Sequence, residues 1–160
     1  MKFLGIDPGI EITGFGIVDI DRAHHRLLEY GVLRTPRTLT LPERLEMLHT
    51  DLSELLSRHQ DIVCVGVEEL FFAKNAKTAF VVGQARGVIL FTLQQSGCTI
   101  EEVKPVEVKS AIVGSGHADK KAVQRMIQLR FQLTAPPQPD DAADAIAIAL
   151  TAAARYHMKK

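Results

Sequence analysis

The sequence predicts a single α/β domain of 160 residues built on a five-stranded mixed sheet, three strands antiparallel and two parallel, with helices on its flanks. Three observations carry this. Five short runs of β type occur, and the first three are joined by links too short for anything but antiparallel neighbours. The last two are each preceded by a stretch with helical periodicity, the mark of a crossover that returns the chain parallel. Finally, 46% of the residues are hydrophobic, which at this length fills one core and not two.

The first strand runs Phe3-Leu4-Gly5-Ile6 and stops at Asp7-Pro8-Gly9, so it fixes a carboxylate at a strand end. Thr13 to Asp19 reads as a second strand and Arg26 to Arg34 as a third, linked by the polar segment Asp19 to His25. Leu41, Leu45, Leu48, Leu52, Leu55 and Leu56 recur at helical spacing, with Thr40 as N-cap and Pro42 in the first turn, which predicts a helix from Leu41 to about Arg58. Ile62 to Val67 is apolar on both faces, as a central strand must be, and delivers Glu68 at its far end.

A long helix follows from Asn75 to about Ser96 and contains Gly83-Gln84-Ala85-Arg86-Gly87, whose small residues permit close helix contact. Thr99 to Val103 is the fifth strand. Pro105 opens a short helix through Val113, Gly114-Ser115-Gly116 interrupts the chain, and another helix covers about Asp119 to Phe131. Prolines 136, 137 and 139 make 134–139 a rigid linker, and Asp140 to Arg155 is an alanine-rich helix of high propensity.

Nineteen basic and nineteen acidic residues cancel, so net charge alone points to no polyanionic partner. Their distribution says more. Residues 72–130 carry +5 and the remainder −5, an asymmetry that suits either acids gathered at a metal and ringed by phosphate-binding bases, or ordinary solvated helices. The two cysteines, Cys64 and Cys98, lack metal-type spacing and suit a reducing, cytoplasmic setting. No apolar run reaches membrane-spanning length and no export signal is visible, which excludes a membrane role.

If the first and fourth strands are parallel neighbours, Asp7 and Glu68 emerge at the same edge of the sheet, the edge at which parallel sheets bind ligands. Asp141 and Asp144 are three residues apart in the first turn of the last helix and share one face. Four carboxylates crowded together repel unless a cation joins them, and oxygen ligands of this kind suit Mg²⁺ or Mn²⁺. Two such ions about 3.5–4 Å apart hold a phosphodiester and activate water for in-line displacement. Taken singly, each feature has a plainer explanation: Asp7-Pro8-Gly9 as a turn, and Asp141 with Asp144 as complements to a helix dipole. Glu68, at the end of a wholly apolar strand, is harder to explain that way.

Gly5-Ile6-Asp7-Pro8-Gly9, Thr13-Gly14-Phe15-Gly16, Val67-Glu68, Phe71, Ala73-Lys74-Asn75-Ala76, Gly83 to Gly87, Lys109, Gly114-Ser115-Gly116 and Asp141-Ala142-Ala143-Asp144-Ala145, in this order, resemble the RuvC family of bacterial Holliday-junction resolvases over nearly the whole chain. The resemblance implies an RNase H-like fold, a homodimer, and metal-dependent symmetric nicking of two strands of a four-way DNA junction. It also implies two Mg²⁺ ions per site, with Mn²⁺ a possible substitute, held by Asp7, Glu68, Asp141 and Asp144. By the same resemblance Lys109 and Lys120 meet the DNA backbone, with Lys121 an alternative beside Lys120, and Phe71 contacts unpaired bases at the crossover. A branch-migration helicase complex is the implied partner.

Three positions leave the register open, since Glu69 lies beside Glu68, Asp140 beside Asp141 and Phe72 beside Phe71. Strand alternation favours Glu68 over Glu69. Asp-Pro-Gly followed by Thr-Gly also resembles the first phosphate loop of actin-like and sugar-kinase modules, but no second such loop is evident in this length.

Overall fold

The computed structural model describes residues 1–21, 24–70 and 76–159, the side chains of 76–78 excepted. Three strands open the chain: β1 (Lys2–Asp7), β2 (Ile12–Ile20) and β3 (His25–Arg34). Their short links leave no room for a crossover, and both pairs are antiparallel. Helix α1 (Leu41–Arg58) then carries the chain across to β4 (Ile62–Glu68), which pairs parallel to β1 on its free side. Helix α2 (Ala76–Gln95) makes the second crossover to β5 (Ile100–Val103), and α3 (Pro105–Val113), α4 (Lys120–Arg130) and α5 (Asp140–Met158) follow. The sheet order is β3-β2-β1-β4-β5, the mixed arrangement expected from the link lengths.

Local chemistry sets the helix ends. Glu43 accepts hydrogen bonds from both the N–H and the hydroxyl of Thr40, at 2.7 Å each, which fixes the start of α1. Asp119 caps α4 by accepting from Ala122 N–H at 2.7 Å. Gly114 ends α3 at φ 82°, a left-handed conformation that costs glycine little. Helix α5 continues beyond Arg155, where the sequence reading stopped it, because its last turns are tied down. Arg155 pairs with Glu101 and Glu107 at 3.5 and 3.2 Å, Lys159 pairs with Glu101, and Tyr156 meets the ring of Phe3 edge-on at 5.6 Å.

The two faces of the sheet are packed differently. On one, Leu4, Ile6, Ile17, Val65 and Val67 meet Leu48, Leu52 and Leu55 of α1 and Ile89 and Leu93 of α2. On the other, Phe3, Val18 and Cys64 meet the alanine-rich α5. Pairing aligns Gly16 with Gly5 and Gly5 with Gly66, so three glycines form a row across β2, β1 and β4. Helix α5 lies directly on that row. A Cβ on Gly5 would stand 2.0 Å from the Ala145 carbonyl oxygen and 2.3 Å from the Ala149 nitrogen.

Candidate active site

Strand alternation and the glycine row together build the site. Two residues beyond Gly5 and Gly66, on the face that α5 covers, stand Asp7 and Glu68 at the ends of parallel neighbours. Opposite Asp7 on β2 is Gly14, and a Cβ there would stand 2.1 Å from the Asp141 carbonyl oxygen. The bare backbone at Gly14 therefore admits the N-terminal turn of α5, which brings Asp141 and Asp144 to the strand ends.

Burial and neighbouring charge shift Asp7, Glu68 and Asp144. Asp7 is pushed up to about 8, chiefly by burial and then by the charges of Glu68, Asp144 and Asp141, with Lys120 opposing. Burial, then Asp144, raises Glu68 to about 7, while Lys109 and Lys120 pull it down. Asp144 is also raised by burial, against a hydrogen bond from Lys120. Asp140 sits at the rim of this group, half exposed and accepting a hydrogen bond from Gln124 at 2.8 Å, with its charge adding to the rise of Asp144.

Lys120 Nζ lies 2.8 Å from Asp144 Oδ2 and 3.6 Å from Asp140 Oδ2. Burial alone would lower its pKa, but the hydrogen bond to Asp144 and the charges of Asp144, Asp140 and Asp141 outweigh that and raise it. Its ammonium is thus a stand-in cation at the mouth of the acidic cluster. Among the described residues no three Asp, Glu, His or Cys side chains form a ready-made shell for an ion. The donor set still fits a hard divalent cation: it is all carboxylate, mutually destabilised, and already draws one positive charge.

Glu68, Asp144, Lys109 and Lys120 share a pocket of about 220 Å³ with Pro105, Val108 and Val123. Two lysines therefore flank the carboxylates on one side. Lys121 is exposed. Phe71 lies outside the described residues, as does Phe72. The sequence reading missed Arg86, which donates from Nε to the Glu68 carbonyl at 3.1 Å and pairs through Nη2 with Glu102 on β5. Its only trace in the sequence was the segment Gly83 to Gly87, read for small size. On α2, no atom of the described residues outside the helix's own backbone lies within 4 Å of a notional Cβ on Gly83 or Gly87, and Phe80 and Phe91 are 69% and 62% exposed.

Residues 3–152 match the family model for crossover junction endodeoxyribonuclease RuvC. The chain belongs to the RuvC family. A relative from Chloroflexus aurantiacus, a crossover junction endodeoxyribonuclease RuvC, is 48% identical over 150 residues, covering 94% of this chain and 91% of that protein. Thermus thermophilus RuvC superposes with a TM-score of 0.91 at 36% identity, covering 99% of this chain and 97% of that one. A second structure, T. thermophilus RuvC in complex with Holliday junction substrate, gives a TM-score of 0.89 at 34% identity, with 99% and 96% covered. The five-stranded mixed sheet with its helices is the RNase H-like fold of these RuvC neighbours.

Proposed function

We propose that this chain is a structure-selective endonuclease that resolves Holliday junctions in DNA recombination and repair, nicking two strands symmetrically to leave 5′-phosphate and 3′-hydroxyl ends. The observation that carries the reading is the match to the RuvC family over residues 3–152, joined to the clustering of Asp7, Glu68 and Asp144 at one sheet edge. The T. thermophilus relative bound to Holliday junction substrate supports the choice of DNA.

In this reading Asp7, Glu68, Asp141 and Asp144 hold Mg²⁺, or Mn²⁺ in its place, as a pair of ions. Such ions would neutralise the carboxylates, orient the scissile phosphate and activate the attacking water. Asp7 and Glu68, whose carboxyls are raised by burial and by neighbouring carboxylates, would have to be deprotonated to hold such ions. With ions bound, Lys120 would be free to leave Asp144 and join Lys109 on the phosphate, a compact ammonium suiting a point contact to an anionic oxygen. Lys121 extends the contact along the backbone, and Phe71 stacks on an unpaired base, an interaction of about 1–3 kcal/mol.

Two coordinated cuts call for two sites related by a two-fold axis, hence a homodimer. The exposed apolar face of α2, with Phe80, Gly83, Gly87 and Phe91, is the proposed contact. We read residues 1–160 as one nuclease domain working in the cytoplasm beside a branch-migration helicase complex. Among the described residues no helix is long and apolar enough to cross a membrane.

The test compares substrates. With Mg²⁺ the purified protein is expected to nick a mobile synthetic four-way junction at mapped, symmetric positions on two strands, and to cut flaps and RNA–DNA hybrids poorly. Preferred cutting of a flap or a hybrid would overturn the junction assignment, and junction binding without metal-dependent nicking would make the chain a binding protein.

A further inference from the structure

The N–H groups of Val65 in β4 and of Glu69 just beyond it bond to the carbonyls of Thr99, just before β5, and Val103 in β5, at 2.8 and 2.9 Å. Alternation then turns the Glu68 carbonyl to the other side, towards β1. The β1–β4 register runs Gly5 with Gly66 and Ile6 with Val67, so its continuation sets Glu68 opposite Asp7. In a parallel ladder that carbonyl would accept from the N–H of the residue after its opposite number. That residue is Pro8, which has no N–H. A carbonyl at the most demanding strand end in the molecule is therefore left without its ladder donor, and an unpaired buried carbonyl is costly.

Arg86 fills the gap. Its Nε donates to the Glu68 oxygen at 3.1 Å, while its Nη2 is gripped by the Glu102 carboxylate on β5. The side chain is only 17% exposed, so the guanidinium is held in place. A planar fork with donors on two edges suits this double task, and an ammonium does not. We propose that Arg86 is a positioning residue for Glu68, supplying the donor that Pro8 lacks and fixing the strand end from which the Glu68 carboxylate projects. The proposal rests on reading Glu68 as an active-site carboxylate.

The test pairs kinetics with metal binding. Arg86→Met is expected to lower kcat for junction nicking by about 10–100-fold, the usual effect of removing a group that orients a ligand. Calorimetric titration of Mn²⁺ into the DNA-free protein should weaken about tenfold on the same ground. KM and metal-free junction binding should stay within about twofold, because Arg86 acts through Glu68 and not on DNA. Arg86→Lys should recover part of the loss, and Glu102→Gln should show a smaller loss of the same kind. Should Arg86→Met fail to fold, those two variants carry the test. Wild-type kcat and Mn²⁺ affinity in the folded variants would overturn the proposal, as would a loss that only follows the folded fraction measured by melting. Glu68→Gln separates the two levels: if it nicks normally, the reading beneath the proposal fails, and if it is inactive while Arg86→Met is active, the proposal alone fails.

Discussion

The two faces of the sheet bury their helices at different closeness. Beneath α1 and α2 the contact is made by side chains, Leu48, Leu52 and Leu55 against Ile6, Ile17 and Val67, which adapt to small changes. Beneath α5 main chain takes part as well: Gly5 meets the backbone of Ala145 and Ala149, Gly16 meets the backbone and side chain of Ile146, and Gly66 meets Ile148 and the Ala152 methyl. Side chains have rotamers in which to relax, and main chain has not. The difference explains why all four acids are on the second face: close backbone contact fixes the height and angle of α5, and hence where Asp141 and Asp144 stand relative to Asp7 and Glu68.

Substituting the glycine row should break the comparison most severely. Gly5→Ala is expected to cost at least ~3 kcal/mol, since overpacking of about 1–3 kcal/mol is usual where side chains can move and here the obstacle is the α5 backbone. Denaturant unfolding checks the stability, and nicking per folded molecule should fall as well.

The pH dependence of the metal-free protein tests the same face electrostatically. Asp7 and Glu68 hold protons in the folded chain up to about 8 and about 7, against ordinary values of 3.8 and 4.5 when unfolded. Between those limits the folded state binds more protons, so these groups make the protein less stable as pH rises from about 4 to about 8. In chelator, Asp7→Asn should melt higher than wild type at pH 8 by roughly 2–8 °C, the shift that about 1–2 kcal/mol produces in a chain of this size, and the gap should close towards pH 4. A gap that widens on acidification would contradict the coupling.

On the side-chain face, Ile17→Val should cost only about 0.5–1.5 kcal/mol and leave nicking per folded molecule unchanged. The smallest effect separates two kinds of glycine. Gly87 on α2 has open space around it, so Gly87→Ala should stabilise the folded protomer by about 0.5–1 kcal/mol in urea unfolding, whereas sedimentation should show a weaker dimer if α2 is the contact.

Much of this architecture was legible because it repeats along the chain. Leucines at helical spacing gave α1, the apolar run Ile62 to Val67 gave the central strand, and link lengths gave the order of the sheet. Asp7 and Glu68 stood out because a charge at the end of an apolar run is conspicuous. The glycine row was hidden because it exists only across three strands, through registers that link residues 5, 16 and 66. Arg86 was hidden for a related reason, since a side chain serving one distant carbonyl leaves no period to detect. Lys120 was read as a DNA contact, and its pairing with Asp144 depends on α4 packing beside the start of α5, which neither helix announces alone. Asp140 and Asp141 are adjacent in sequence, where the Asp-Ala-Ala-Asp spacing of the resembling family favours Asp141, and the fold adds a physical difference, with Asp140 bonded to Gln124 and the charge of Asp141 reaching Asp7.

The central claim is that the carboxylates on the α5 face are the catalytic metal site. Asp7→Asn, assayed with Mg²⁺ on a synthetic four-way junction beside metal-free binding to the same junction, tests it most directly. The account expects nicking to fall by at least about 10³-fold, on the order of 4 kcal/mol of lost transition-state stabilisation, with junction binding retained. A fully active Asp7→Asn enzyme would contradict it.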